Sequence, residues 1–346
     1  MSNPTIHDVA ALADVSIKTV SRVLNGEDKV KPATRERVMA AVRQLGYSLN
    51  LSARSLSGAR NYILGLVFHA GADETAIALQ HEYVSAIQIG AINACRANGY
   101  HLMMEPLDLT APDFETRAST LLNMPVMDGF IIMPPLCDHP VIIDMLIKRS
   151  ANCVRISPSQ ALADLPLHVG IDDYQAAYDM TRHLLDMGHR RIGFIGGPVD
   201  HASAADRFRG FKNVLEGAGC FAASMVRYGD YGWDSGLAAG LDLLTLPERP
   251  TAIFALNDMM ALGVYSAAHR LNLHIPNDVS VAGIDDTPSS RIATPPLTTV
   301  RQPIMAMGFA ATEALIKASA GETSSMKVLF AHELIERASI GRWVSS

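Results

Sequence analysis

Near its N-terminus the chain reads Thr5-Ile-His-Asp-Val-Ala-Ala-Leu-Ala-Asp-Val-Ser-Ile-Lys-Thr-Val-Ser-Arg-Val-Leu-Asn25. Thr5 is a favourable N-cap residue, and the apolar residues after it recur at the spacing of one helical face. After a break at Asp14, Ser16 starts a second pattern of the same kind. The stretch therefore predicts two short amphipathic helices joined by a tight turn.

A third helix completes this pattern. It is predicted to begin near Pro32, because proline suits the first turn of a helix, and to stop at Gly46, because glycine suits the position after a helix end. Two short helices and a third that completes their core form the helix-turn-helix plan, in which the second helix enters the major groove of DNA. The alternative is a three-helix bundle with a solvated basic face.

The open face of the second helix carries side chains that suit DNA. Lys18 and Arg22 lie one turn apart, so both can reach guanine or phosphate oxygens, and Ile17 can touch a thymine methyl group. Hydroxyl groups near the helix starts can donate to phosphates. The hydroxyl residues expected to do so are Thr5, Ser16, Thr19 and Ser21.

Charge separates this segment from the rest of the chain. The 346 residues carry 29 Lys and Arg against 35 Asp and Glu, a net charge of −6. Residues 1–60 hold nine of those bases and only five of the acids, so the segment is basic and the remainder is acidic. A polyanionic partner is therefore predicted for the first 60 residues only.

The stretch quoted above closely resembles the headpiece of the lactose-repressor (LacI/GalR) family of bacterial transcription regulators. Asp14 stands where that family commonly has glycine, and aspartate tolerates a left-handed backbone better than most residues. The resemblance implies that three side chains read base edges, namely Ile17, Lys18 and Arg22.

Residues 47–60 resemble the hinge of the same family, with Asn50-Leu-Ser-Ala-Arg-Ser-Leu-Ser-Gly58 at its centre. In relatives this stretch becomes a short helix on operator DNA, and the resemblance implies that Leu56 wedges into the minor groove. Asn25 and Ala53 are expected to contact DNA as well. A plain Ser/Ala-rich linker is the alternative.

From residue 61 onward, short apolar runs alternate with helix-length segments. Strands are predicted at 63–68, 129–133, 153–156, 191–195, 252–255 and 279–283, and helices at 83–98, 174–187, 206–217, 233–244 and 258–271. Such alternation is typical of parallel, doubly wound α/β sheets that bind ligands at the carboxyl ends of their strands. Roughly ten strands exceed one comfortable sheet, so two subdomains are expected.

Motifs in this body extend the resemblance, among them Arg207-Phe-Arg-Gly-Phe211, Ala255-Leu-Asn-Asp258 and Val281-Ala-Gly-Ile-Asp-Asp286. They imply a periplasmic-binding-protein-like core of two Rossmann-like lobes, with crossovers near Leu162, Pro295 and Glu322 and an effector in the cleft. The expected domains are a helix-turn-helix domain at 1–46, the hinge at 47–60, and an effector-binding and dimerisation core at 61–346. Within that core, lobe 1 is expected at 61–162 and 296–322, and lobe 2 at 163–295 and 323–346.

The resemblance also implies a set of effector contacts. Arg207 matches an arginine that holds effector hydroxyls or carboxylates, and Asp285 matches an acid that accepts from sugar hydroxyls. Asn257 is expected to bind the same ligand over an aromatic platform, for which Tyr231 is the candidate. Tyr83, Ile171 and Gln302 are expected to line the same space. For each residue, the alternative is a structural ion pair or a strand-end cap.

Other sequence features exclude competing classes of protein. The four cysteines lie far apart without a CxxC pair, so no disulfide or metal site is expected, and no cofactor is expected either. The stretch Ile192-Gly-Phe-Ile-Gly-Gly197 lacks both dinucleotide and P-loop signatures, which weakens the alternative of a Rossmann-like enzyme. A solute-binding transport protein is the third reading, and it does not account for the DNA-binding headpiece.

These features together predict a DNA-binding transcription repressor that is not an enzyme. Residues 1–13 show no signal-peptide pattern, so a cytoplasmic, nucleoid-associated protein is expected. No heptad repeat follows residues 337–340, so a homodimer on pseudo-palindromic operator DNA is expected. The effector is expected to be a small sugar or sugar derivative, and induction and co-repression both remain open.

Overall fold

A computed structural model describes residues 4–24, 30–47, 60–70, 81–149, 152–159, 165, 167–198, 201–322 and 327–344. The chain divides into an N-terminal unit at residues 1–61 and a C-terminal unit at residues 62–346. Within the described residues, none of the helices is both long enough and apolar enough to cross a membrane.

The N-terminal unit contains helices α1 (Ile6–Ala13), α2 (Ile17–Leu24) and α3 (Pro32–Leu45). A capping box starts α1: the amide of Thr5 donates to Asp8 Oδ2 at 2.7 Å, and the amide of Asp8 donates to Thr5 Oγ1 at 3.4 Å. Two otherwise unpaired amides are thereby satisfied, which is why the helix begins here.

The turn between α1 and α2 has the predicted geometry. Asp14 adopts the left-handed conformation, with φ 51° and ψ 54°, as the C-cap of α1. The amide of Thr19 donates to Ser16 Oγ at 3.2 Å, so Ser16 caps α2. The buried apolar side chains of the three helices meet in one core: Val9, Ala10, Ala13, Val20, Val23, Val38 and Ala41. The predicted helix-turn-helix fold is confirmed.

The C-terminal unit contains two six-stranded sheets. The first has the order β11-β5-β4-β3-β1-β2 and its strands pair in parallel. Its strands are β1 (Ile63–His69), β2 (His101–Leu107), β3 (Gly129–Ile132), β4 (Cys153–Ile156), β5 (His168–Ile171) and β11 (Lys327–Phe330).

The second sheet has the order β12-β10-β9-β8-β6-β7, and it is parallel except where β12 runs antiparallel to β10. Its strands are β6 (Ile192–Gly196), β7 (Val226–Tyr228), β8 (Ala252–Ala255), β9 (Ser280–Asp285), β10 (Thr298–Arg301) and β12 (Glu333–Ile335). Its central strands are fully buried, as expected of a parallel sheet with covered faces.

Helices flank both sheets. In chain order they are α4 (His81–Asn98), α5 (Phe114–Leu122), α6 (Pro140–Arg149), α7 (Asp173–Asp186), α8 (Ala202–Gly217), α9 (Trp233–Leu244), α10 (Asp258–Arg270), α11 (Pro288–Ile292) and α12 (Ile304–Ser319). The predicted α/β architecture with two lobes is confirmed, because each lobe is one of these sheets with its helices.

The crossovers between the lobes lie later than the sequence suggests. The chain first crosses after β5, where it enters α7, which packs on α8 in the second lobe. It returns after β10, where it enters α12, which packs on α4 in the first lobe. The third crossover runs from β11 to β12. The predicted crossovers near Leu162, Pro295 and Glu322 are wrong, since each comes one strand too early. The missed strands begin with polar residues, namely His168, Thr298 and Lys327, so no apolar run marks their start in the sequence.

Helices α4 and α12 of the first lobe touch through their backbones. A Cβ atom added at Gly90 would lie 2.0 Å from the carbonyl oxygen of Met305, and one added at Gly308 would lie 2.3 Å from that of Ile87. Only glycine permits an approach this close, because backbone atoms cannot rotate away as a side chain can.

We expect the substitution Gly308→Ala to lower the free energy of unfolding by about 1–3 kcal/mol, because α4 and α12 must separate to admit the methyl group. The matched control is Gly217→Ala at the end of α8, where nothing lies within 4 Å of the added Cβ. Urea denaturation followed by circular dichroism measures both. Equal midpoints for the two variants would contradict the close helix contact.

Candidate functional site

Helix α2, the predicted recognition helix, presents a polar face with one apolar side chain. Val20 and Val23 are buried, whereas Ile17 is 41% exposed and Lys18 is exposed. Arg22 is partly exposed. An apolar side chain beside two basic ones suits a surface that contacts base edges, because isoleucine can pack on a thymine methyl group while the basic residues reach guanine or phosphate.

Two of the hydroxyl side chains predicted to contact phosphates, those of Thr5 and Ser16, also cap helices. Thr5 Oγ1 donates to Asp8 Oδ2 at 2.7 Å, and Ser16 Oγ lies 2.9 Å from Thr19 Oγ1. These side chains therefore organise the ends of α1 and α2 in the unbound protein, and their phosphate contacts stay predictions. The predicted DNA contacts of Asn25, Ala53 and Leu56 lie outside the described residues.

The C-terminal unit contains a cavity of about 350 Å³ at the carboxyl ends of strands from both sheets. Six of the seven residues predicted to bind an effector line it: Tyr83, Arg207, Tyr231, Asn257, Asp285 and Gln302. The seventh, Ile171, is not among the lining residues. It is 5% exposed at the end of β5 and packs in the apolar core.

Arg207 is buried in the cavity wall together with its counter-charge. Its Nε donates to Asp173 Oδ1 at 2.8 Å, and one terminal nitrogen donates to the carbonyl of Leu256 at 2.8 Å. Burial disfavours the charged form, but the carboxylate of Asp173 outweighs it and raises the pKa of Arg207. Arg207 is therefore cationic at any physiological pH.

Asp285 and Gln302 form a second buried pair. Gln302 Nε2 donates to Asp285 Oδ1 at 2.7 Å. Burial and the neighbouring carboxyl of Asp258 raise the pKa of Asp285 well above its ordinary value. Gln302 is 3% exposed, and its Oε1 is a buried acceptor that has no hydrogen-bond partner within the described part of the chain. An unpaired buried acceptor is costly, so this atom calls for a donor from a ligand or water.

Asn257, which lies just after β8, is hydrogen-bonded to the backbone of Tyr231. Asn257 Oδ1 accepts from the amide of Met260 at 2.9 Å and so caps α10, as the strand-end-cap alternative predicts. Asn257 Nδ2 donates to the carbonyl of Tyr231 at 2.9 Å. Tyr231 has φ 69°, a left-handed conformation that this hydrogen bond helps to hold. Both residues line the cavity, and their contacts with an effector stay predictions.

His201 and Ser203 line the cavity too, and sequence reasoning missed them. His201 Nδ1 lies 3.0 Å from Ser203 Oγ and 3.4 Å from the hydroxyl of Tyr231. Burial, with a smaller contribution from Arg207, lowers the pKa of His201 to about 3. Both residues follow β6, so the rule that ligands bind beyond the carboxyl ends of strands could have found them.

The first lobe contributes a largely apolar wall. Phe68, Val84, Met133 and Pro134 line this side. Three polar residues interrupt it, namely His69, Tyr83 and Ser157. Burial raises the pKa of the Tyr83 hydroxyl, and Ser157 Oγ is buried without a hydrogen-bond partner among the described residues. The cavity is therefore mainly polar on the second lobe and more apolar on the first.

Comparisons with known proteins agree with both units. Residues 5–50 match the family model described as bacterial regulatory proteins, lacI family, and residues 181–340 match the periplasmic binding protein-like domain. Catabolite control protein A of Priestia megaterium is 32% identical over 332 residues, which cover 94% of this chain and 96% of that protein.

Two solved structures are similar over nearly the whole chain. The lac repressor dimer bound to operator and the anti-inducer ONPF has a TM-score of 0.80 and 28% identity, and the match covers 98% of this chain and all of that one. The complex of the transcriptional regulator CelR with cellobiose has a TM-score of 0.73 and 30% identity, with 97% and 99% covered. By its sequence and both of its domains, the chain belongs to the lacI family of bacterial transcriptional regulators.

Proposed function

We propose that the protein is a dimeric transcription repressor whose operator affinity is set by a small, sugar-like effector in the cavity of the C-terminal unit. One observation carries the proposal: a single chain combines an exposed recognition surface on α2 with a cavity lined by buried polar groups at the ends of both sheets. The relatives support it, since one is an operator complex of a repressor dimer and another is a cellobiose complex.

The position of the cavity supports control by a ligand. Asp173, which is bonded to Arg207, is the first residue of α7 and lies two positions after β5. Gln302 is the first residue after β10. A ligand bonded to Arg207 and Gln302 therefore acts beside two of the three crossovers. If it binds one lobe arrangement more tightly than another, it shifts the population and with it the affinity for DNA, commonly by about 1–3 kcal/mol.

We propose binding without turnover, and the chemistry of His201 supports this. The contact between His201 and Ser203 has the length of a base–nucleophile pair. However, a histidine whose pKa is lowered to about 3 is too weak a base to activate a serine hydroxyl near neutral pH. Operator DNA lies in the bacterial cytoplasm, and we place the protein there.

We expect Arg22→Ala to weaken binding to the operator by about 1–3 kcal/mol and to relax the base preference at one position of each half-site, because a base-reading donor is lost. The operator is first selected from random DNA with the unchanged protein, and affinities are then measured by fluorescence anisotropy at fixed salt. Arg96→Ala in the C-terminal unit removes the same charge and is the control. An unchanged base preference in the Arg22 variant would remove that residue from the readout.

We expect Arg207→Lys to shift the effector response to about 10–100-fold higher concentration, because lysine keeps the charge beside Asp173 but loses the planar fork of donors. A thermal-shift screen of sugars, sugar phosphates and nucleosides identifies the compound to use.

The control for this change is Arg209→Lys, two residues along α8, where the guanidinium is 53% exposed and pairs with Asp206. Operator affinity without effector should match that of the unchanged protein in both variants. A normal response from the Arg207 variant would show that Arg207 does not hold the effector.

A further inference from the structure

We infer that the effector is an electrically neutral molecule with a hydroxyl-bearing side and an apolar side, and that the cavity rejects phosphorylated and carboxylate analogues. This inference rests on the proposed function and narrows it, because a sugar-like effector could equally be a neutral sugar, a sugar phosphate or a sugar acid.

The one permanently cationic side chain among the described lining residues is already paired with a carboxylate. Among the described lining residues, Arg207 alone has a permanent positive charge, and its Nε is bonded to the carboxylate of Asp173 at 2.8 Å. Both side chains are 6% exposed, so solvent does not screen the pair. Asp230 and Asp285 also line the cavity. The lining therefore carries no net positive charge, and a phosphate would have to be desolvated beside carboxyl groups.

The titratable groups reinforce this balance. Because burial and Arg207 lower the pKa of His201 to about 3, its imidazole remains neutral at physiological pH and adds no cation. The nearby hydroxyls of Ser203 and Tyr231 both lie within reach of Nδ1. In either neutral tautomer the ring has one N–H donor and one acceptor nitrogen, so His201 adds polar contacts but no charge.

The unpaired acceptor in the cavity wall favours a ligand that donates a hydrogen bond. Gln302 Oε1 is buried and lacks a partner within the described residues, while Gln302 Nε2 is already bonded to Asp285. A hydroxyl or N–H group of a ligand can satisfy this oxygen, whereas ionised phosphate and carboxylate oxygens only accept. The polar side of the cavity therefore matches a hydroxylated ligand.

The opposite side of the cavity matches a weakly polar surface. Four of its lining residues, Phe68, Val84, Met133 and Pro134, present mainly carbon and sulfur atoms to a ligand. Polar atoms on this side come from His69, Tyr83 and Ser157, and they add hydrogen-bonding groups but no permanent charge. The C–H face of a sugar ring, a deoxy position or a base ring would fit against them. A volume of about 350 Å³ lies at the small end of the usual range for ligand sites, which suits one or two rings.

The test compares matched pairs of compounds on the full-length protein. Glucose, cellobiose and adenosine are each titrated beside the corresponding monophosphate, by thermal shift and then by isothermal titration calorimetry. We expect any binding pair to favour the uncharged member by at least about 100-fold. A monophosphate that binds as tightly as its uncharged partner, or more tightly, overturns the inference. No binding by any compound of either kind would instead count against the proposed sugar-like effector.

Two variants test the cause of this discrimination. Asp173→Asn removes the counter-charge of Arg207, and we expect it to improve monophosphate binding about tenfold or more. Asp186→Asn, on the same helix but with its side chain 68% exposed, makes the same change of charge away from the cavity and is the control.

Asp230→Asn removes a carboxylate from the cavity lining, while the amide oxygen of the new side chain can still accept from the amide of Gly232. We expect it to act in the same direction as Asp173→Asn, and it tests the charge argument even if the Asp173 variant does not fold. Identical phosphate affinities in the control, the Asp230 variant and the unchanged protein would overturn the charge argument.

Discussion

The buried contact between Arg207 and Asp173 is the interaction on which the ligand-facing part of the protein depends. Neither charge is tolerable at 6% exposure without the other, because an unpaired buried ion costs several kcal/mol. Asp173 starts α7 just after the chain leaves the first sheet, and Arg207 belongs to α8 of the second lobe. Since Arg207 also holds the carbonyl of Leu256 beyond β8, one side chain joins a crossover, a helix and a strand end.

Polar contacts recur at the other two crossovers. Gln302, between β10 and α12, donates to Asp285. His332, between β11 and β12, has its Nε2 2.8 Å from Asp179 Oδ2 on α7. A fourth contact joins the lobes directly, since Ser289 Oγ donates to Glu82 Oε1 at 2.7 Å. In the proposed function, an effector competes with or completes these bonds, and so changes the relative free energies of the lobe arrangements.

Local patterns in the sequence were sufficient to predict much of this architecture. The start of α1, the left-handed turn at Asp14 and several central strands depend on capping, on turn chemistry or on long apolar runs, all of which are visible in neighbouring residues. The strands β5, β10 and β11 each begin with a polar residue and depend on pairing with other strands, and no short window of sequence shows that pairing. The lobe boundaries were misplaced for this reason.

The same limit applies to the cavity. Arg207 and Asp285 lie in motifs that can be read directly from the sequence, but the counter-charge of Arg207 is 34 residues away. The neutrality of His201 likewise results from burial, which no motif specifies. The sequence was therefore a good guide to which side chains line the cavity and a poor guide to their charge states.

The glycine contact between α4 and α12 joins two helices that both reach the cavity. Tyr83 of the cavity wall lies on α4, and α12 begins just beyond Gln302. Because the two helices meet backbone to backbone at Gly90 and Gly308, no side-chain rotation between them can absorb a small displacement. Tyr83 and the start of α12 therefore belong to one closely packed pair of helices, so a rearrangement at one edge of the cavity is mechanically connected to the other.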